Sequence, residues 1–262
     1  LCDRRQRQMC IRDRGGQTFE EGDEISVYAW TGDATVAPET RERVVNNAIN
    51  KLTNGSWVST PQMLWKNNRD KHYFIGVYPI SAISDLSAGE YTFDVNKQTE
   101  SDLLVAVNKD GLSYNVDEQQ PVPLTFTHVM AKLVVNLTYK NQWGGIPTVE
   151  KVVVGNAAKE ATINYLTKVV TPSTTAKEDF SLPEITENTK YVSVIIPQED
   201  VKQLTIVIGG KNFVYDNGTP FKFESGKITT VNLEVGRDEI KLGDVKITDW
   251  ENGSTFSGEA LN

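Results

Sequence analysis

His72 and His128 are the only histidines of this 262-residue chain, and histidine is the side chain that ordinarily titrates near neutral pH. For either to act as a general base, a nucleophile and an orienting carboxylate would have to converge on it. No G-x-S-x-G turn occurs to present a serine. His128 lies inside a run of alternating apolar residues, where a histidine is expected to be structural, and His72 directly precedes an aromatic run. Carboxylates are plentiful at Glu20, Glu21, Asp23 and Glu24 and again at Glu178 and Asp179. Glycoside hydrolysis needs two of them at a fixed separation, which adjacency in sequence does not supply, so both groups read as solvated turns. There is no calcium-loop spacing and no Cys/His zinc pattern, and Gly209-Gly210 lacks the Lys-Ser/Thr of a phosphate-cradling loop. The expectation is a protein with no catalytic residue, no metal ligand and no cofactor.

Binding chemistry is better represented. Trp30, Trp57, Trp65, Trp143 and Trp250, with several tyrosines, offer faces on which a sugar could stack, although aromatics in a β protein more commonly fill cores and interfaces. Four Asn-x-Ser/Thr triplets begin at Asn54, Asn136, Asn217 and Asn252. Three of them contain Asn-Gly, which is as much a hairpin signal as a modification signal.

Positioning such groups falls to strands. Val, Ile and Thr are abundant, and the charge of −8 disfavours a nucleic-acid partner, which would need a basic face. No apolar run approaches the length of a membrane helix; residues 103–107 and 192–196 are strand-sized. Residues 1–14 differ from the rest, holding both cysteines, Cys2 and Cys10, and five arginines against two aspartates. They contain no apolar core of an export signal, and two thiols alone make a poor metal site. They are expected to be a disordered or foreign tail, outside the fold.

The most informative stretch is 121–140. Val122, Leu124, Phe126 and Met130 occupy even positions, whereas Val129, Ala131, Leu133, Val135, Leu137 and Tyr139 occupy odd ones. Alternation is the mark of a half-buried strand. A change of phase within one run requires a bulge or a crossing from one sheet to another, and the break is expected near His128. Elsewhere the pattern predicts strands over 25–30, 73–78, 91–95, 102–106, 149–154, 161–170, 191–196, 204–208, 211–215 and 228–235, the last with Val231, Leu233 and Val235 on one face. Asn54-Gly55 and Gly209-Gly210 predict two-residue hairpins. Val44, Val45, Ala48, Ile49 and Leu52 are spaced as on a helix, yet the hairpin signal behind them favours a strand over 48–52. Residues 171–190 read as a surface loop, and 141–147, with Gly144, Gly145 and Pro147, as a linker. The fold expected from this pattern is all-β.

Several of these residues together carry a resemblance. Phe19, Gly22, Asp23, Ile25, Val27 and Tyr28 spell F-x-x-G-D-x-I-x-V-Y, and an aromatic strand closes on Tyr78-Pro79. Asp102-Leu103-Leu104-x-Ala106 is followed by V-P-L-x-F-x-H-x-x-A-K-L over 122–133, and Ile247-x-x-Trp250 comes late. Over 18–250 the chain resembles the fimbrillin-like family, the type V pilins and their relatives in Bacteroidales. The resemblance implies two tandem transthyretin-like β-sandwich domains, assigned to 15–142 and 143–262. It implies export as a lipoprotein to the outer membrane, display on the cell surface or in a fimbrium, and subunits joined by β-strand exchange after an Arg-directed protease removes a first strand. Arg14 is the arginine placed for that processing. The expected partners are other fimbrial subunits, self or accessory, and a host or bacterial surface glycan or protein, with no nucleic acid. A membrane would be met only through a lipid anchor that this sequence does not carry. After Trp250 only Phe256, Ala260 and Leu261 could fill a partner's groove, so shaft subunit and tip-associated adhesin both stay open. The alternative reading is a non-polymerising surface lipoprotein that binds glycans.

Overall fold

A computed structural model describes residues 18–114, 121–216, 218–237 and 240–249, with side chains in the last stretch described at 245 and 246 only. Arg14, both cysteines, Trp250 and the segment with Phe256 lie outside the described residues. The fold is nearly all β. In chain order the first strands are β1 Glu24–Thr31, β2 Arg43–Thr53, β3 Ser56–Thr60, β4 His72–Tyr78, β5 Gly89–Thr92, β6 Leu104–Leu112 and β7 Thr127–His128. They are followed by β8 Ala131–Tyr139, β9 Val149–Ala158, β10 Glu160–Asn164, β11 Val169–Pro172, β12 Lys177–Ser181 and β13 Glu184–Thr186. The last are β14 Lys190–Ile195, β15 Gln203–Ile208, β16 Lys211–Asp216, β17 Lys227–Val235 and β18 Ile240–Asp249.

These strands form a six-stranded sheet in the order β3-β2-β1-β4-β6-β7, a three-stranded sheet β11-β10-β5, a four-stranded sheet β12-β9-β15-β16 and a five-stranded sheet β13-β14-β8-β17-β18. The change of phase in 121–140 is the crossing between two of them. His128 pairs with Leu104 in the six-stranded sheet, and three residues later Ala131 pairs with Ile195 in the five-stranded one. Ala131, Leu133 and Val135 on the odd face are fully buried in the main core. The even residues Val122, Leu124 and Phe126 pack against a different apolar cluster. One departure needs correcting: 121–126 is extended but joins no ladder. Pro121 and Pro123 lack the N–H that a ladder uses, so the alternation there reports burial of one face without strand pairing.

The helical spacing after Pro38 has a local cause. Only Thr40–Glu42 form a 3-10 turn, and β2 begins at Arg43. Val27 pairs with Ala48 and Ala29 with Val45, so two residues of β2 oppose one of β1, and Asn47 in the bulge takes φ 55°. A bulge advances the buried set by one position, which puts Val45 and Ala48, three apart, on the same face. The Asn54-Gly55 turn has positive φ at both residues (52° and 74°) and joins Thr53 to Ser56, as a type I′ hairpin requires. Gly209 and Gly210 do the same between β15 and β16.

Two expectations fail. Residues 161–170 are not one strand: β10 ends at Asn164, whose side-chain oxygen accepts from Leu166 N at 3.1 Å and Thr167 N at 2.9 Å. That Asx-type turn folds β11 back on β10 and leaves Tyr165 and Leu166 buried in the bend. Residues 171–190 are not a loop, because they hold the end of β11, then β12 and β13. Phe180 and Leu182 are buried there, and β12 pairs with β9. Too few apolar residues stand in that segment to reveal a period.

Candidate functional site

The six-stranded sheet is apolar on both faces. Tyr28 and Trp30 of β1 and Ile75 and Val77 of β4 point into the main core. Ile25, Val27 and Ala29 of β1, Val45 and Ala48 of β2 and Phe74 of β4 point the other way. Among the described residues no second sheet covers this outer face. Its cover comes from side chains in non-strand chain, Phe19, Met63, Trp65, Val122, Leu124 and Phe126, together with Tyr78 and Leu112 from strand ends. The extended piece 121–126 acts as a strap, inserting every second side chain into the face.

Glycine in a strand interior commonly marks close approach of another chain segment, and Gly76 is such a case. A Cβ built on it would lie 2.6 Å from Phe126 Cζ and 3.2 Å from Leu124 Cδ1. Phe126 also meets Phe19 edge-on, ring centres 5.0 Å apart, and Phe19 in turn contacts Trp57 at 5.2 Å and Tyr78 at 5.5 Å. Among the described residues the sheet ends here at β3, Ser-Trp-Val-Ser-Thr, which carries no charge and exposes Trp57 and Val58. An uncharged exposed edge lacks the usual devices that prevent pairing with another chain.

The histidines fall to structural duty at the margins. His128 Nδ1 lies 2.8 Å from Asp102 Oδ1, at the crossing between sheets. Val129 N donates to Leu103 O, Ser225 Oγ to Val129 O and Gly226 N to Met130 O, so the crossing is tied on both sides. His72 is fully buried; its Nε2 accepts from Lys66 N at 3.0 Å and its Nδ1 donates to Asp70 O at 3.1 Å. Those roles require the neutral ring. Burial lowers the His72 pKa, against smaller raising effects from the Asp70 carbonyl and carboxylate. A depressed folded-state value means that stability is complete above the unfolded pKa of about 6.5 and declines as pH falls below it toward the folded value. Trp65, edge-on to His72 at 4.9 Å, gives the readout. Urea midpoints should drop on acidification below about pH 6.5, by less in His72→Phe, and Trp65 emission should follow. An equal acid response in both proteins would mean that other groups govern it.

Among the described residues, the tryptophans are not gathered into a platform. Trp30 is buried and donates from Nε1 to Asp33 O; Trp65 packs on His72 and Phe74; Trp143 donates to Val235 O and packs on Phe213. Among the described residues only Trp57 is classed as exposed, and Glu178, beside Asp179 in β12, is paired with Lys159 at 2.8 Å. Sequence reasoning missed the strap and the role of Gly76, for which a lone glycine inside an aromatic strand was the available signal.

A model of the fimbrillin-like family matches residues 12–250. No curated protein sequence matches. Among solved structures, a candidate cell adhesion protein from Bacteroides uniformis is similar with TM-score 0.68 and 19% identity, covering 89% of this chain and 93% of that one. A fimbrial protein from Bacteroides vulgatus has TM-score 0.57 and 12% identity, covering 86% and 92%. The tip fimbrial protein Mfa3 from Porphyromonas gingivalis, truncated at its C-terminus, has TM-score 0.54 and 12% identity, covering 88% and 95%. At such identities the likeness is one of fold.

Proposed function

The chain belongs to the fimbrillin-like family, and from that premise we propose that it is a fimbrial subunit or tip-associated adhesin that assembles with other subunits by β-strand exchange at the bacterial surface. The observation that supports this best is the outer face of the six-stranded sheet, apolar yet covered by extended chain that makes no ladder. Such a cover contributes burial but not main-chain hydrogen bonds. A strand supplied by a neighbouring subunit at the β3 edge would add main-chain hydrogen bonds as well as burial beside that face, and that gain favours exchange. Trimming after Arg14 would leave Phe19 as the first aromatic anchor of the mature chain.

The test is direct. Protein trimmed before Gly15 is mixed with a peptide spanning residues 246–262, and binding and SDS-resistant oligomers are followed. Peptide capture and a ladder of oligomers are the expected result. Trimmed protein that neither binds the peptide nor oligomerises would remove strand exchange and leave a surface protein acting as a monomer.

A further inference from the structure

Away from the strap, two adjoining grooves of about 670 Å³ and about 560 Å³ share Pro38 and Arg41 as a common wall. Both volumes fall in the range of small-ligand sites. The first is lined by Trp30, Thr31, Asp33, Val36 and Glu42 together with three cations, Arg41, Arg43 and Lys66. Its two acids are already engaged: Asp33 accepts from Thr35 N and Oγ1, and Glu42 from Glu39 N. The Arg41 side chain is 79% exposed and held through Nε by Glu39, and Lys66 Nζ gives one bond to Thr31 Oγ1 at 3.1 Å. Donors therefore remain available on both cations.

Arg43 adds a separate reason for an anion here. It is 9% exposed, and its terminal nitrogens donate only to neutral groups: Asn46 Oδ1 at 2.9 Å, Ile83 O at 2.6 Å and Ser84 O at 2.6 Å. Its Nε is buried with no partner. A guanidinium withdrawn from water with no carboxylate hydrogen-bonded to it, Asp85 acting on it through space alone, keeps part of its positive charge in the groove wall. The second groove changes character, bringing Thr40, Ser84 and Ser87 hydroxyls beside the Glu39 and Asp85 carboxylates. Val36, 59% exposed in the first groove, offers an apolar surface for a ring's C–H face.

We propose that this double groove binds an acidic oligosaccharide, with the carboxylate of one pyranose between Arg41 and Lys66 and a neutral, hydroxyl-rich neighbour in the second groove. The site lies apart from the strap and does not depend on strand exchange. Binding is measured by calorimetry on the untrimmed protein, with oligomeric state followed in the same samples, so loss of one property leaves the other readable. Galacturonosyl-galactose, with a single carboxylate, is the probe; a neutral digalactoside and a short poly-glutamate peptide are the comparisons. The acidic disaccharide should bind at least about tenfold more tightly than the digalactoside and weaken as salt is raised. Arg41→Gln and Lys66→Gln should each weaken it about tenfold while leaving the urea midpoint unchanged. Equal binding of the neutral sugar, no response to either substitution, or no heat with the acidic disaccharide up to about 10 mM would overturn the proposal. Tighter binding of poly-glutamate than of the acidic disaccharide would overturn the sugar and assign the groove to an acidic peptide.

Discussion

Gly76→Val is expected to lower stability by about 1–3 kcal/mol, the usual cost of forcing extra methyl groups into a packed site. Even the first added carbon would stand 2.6 Å from the Phe126 ring and 3.2 Å from Leu124. The ring cannot swing away freely, because Phe19 holds it edge-on at 5.0 Å. Relief therefore comes by lifting the strap, which bares the outer cluster of Ile25, Val27, Val45 and Phe74. Urea denaturation would record the loss, and binding of a hydrophobic dye to the native protein would record the exposed face. Phe126→Ala alone should also destabilise, through lost burial. The double variant should lose less than the sum of the two by about 1 kcal/mol, since the clash has gone. Strict additivity would show that Gly76 and Phe126 do not act through each other. Under the assembly reading, the lifted strap should also raise capture of the 246–262 peptide.

The strap shows where sequence reasoning succeeds and where it stops. Alternation at Val122, Leu124 and Phe126 followed by the opposite phase at Ala131, Leu133 and Val135 was enough to place a crossing near His128, because period and phase are local properties. What Val122, Leu124 and Phe126 cover is not local. Gly76 lies 50 positions from Phe126 in the chain, and nothing in either neighbourhood names the other. The bulge at Asn47 misled in a different way, since an apolar spacing of three is shared by a helix and by a strand with one extra residue. Phe180 and Leu182 flank too short a segment to display a period, so β12 was legible only from its partner β9. The double groove was invisible for the same physical reason: Arg41 and Lys66 come together only through β1, β2 and the chain leading into β4.

Arg43→Ala is expected to cost about 2–4 kcal/mol, because a charged donor is worth more than a neutral one and its loss leaves the buried Ile83 carbonyl unpaired, whereas Ser84 O keeps Thr40 Oγ1. The guanidinium joins the start of β2 to the loop 79–88 through Ile83 O and Ser84 O. It also stands 5.3 Å over the Tyr28 ring. Tyr28 completes the clamp, donating from OH to Ser81 O at 2.5 Å and accepting from Ile83 N at 2.9 Å. Burial raises the Tyr28 pKa, so its hydroxyl stays protonated and able to donate. Arg43→Lys should recover little, since a single ammonium cannot reproduce the planar fork that meets two successive carbonyls. Amide exchange at Ile83 and Leu86 should quicken in both variants, and urea midpoints should fall in both. Full recovery by lysine would mean that charge alone, not the fork, holds the loop. The loop also carries Ser84, Asp85 and Ser87, the far wall of the second groove. Loss of Arg43 should therefore weaken both the fold and the acidic-sugar site, whereas loss of Arg41 should weaken the site alone. That contrast separates a residue that builds the groove from one that meets its ligand.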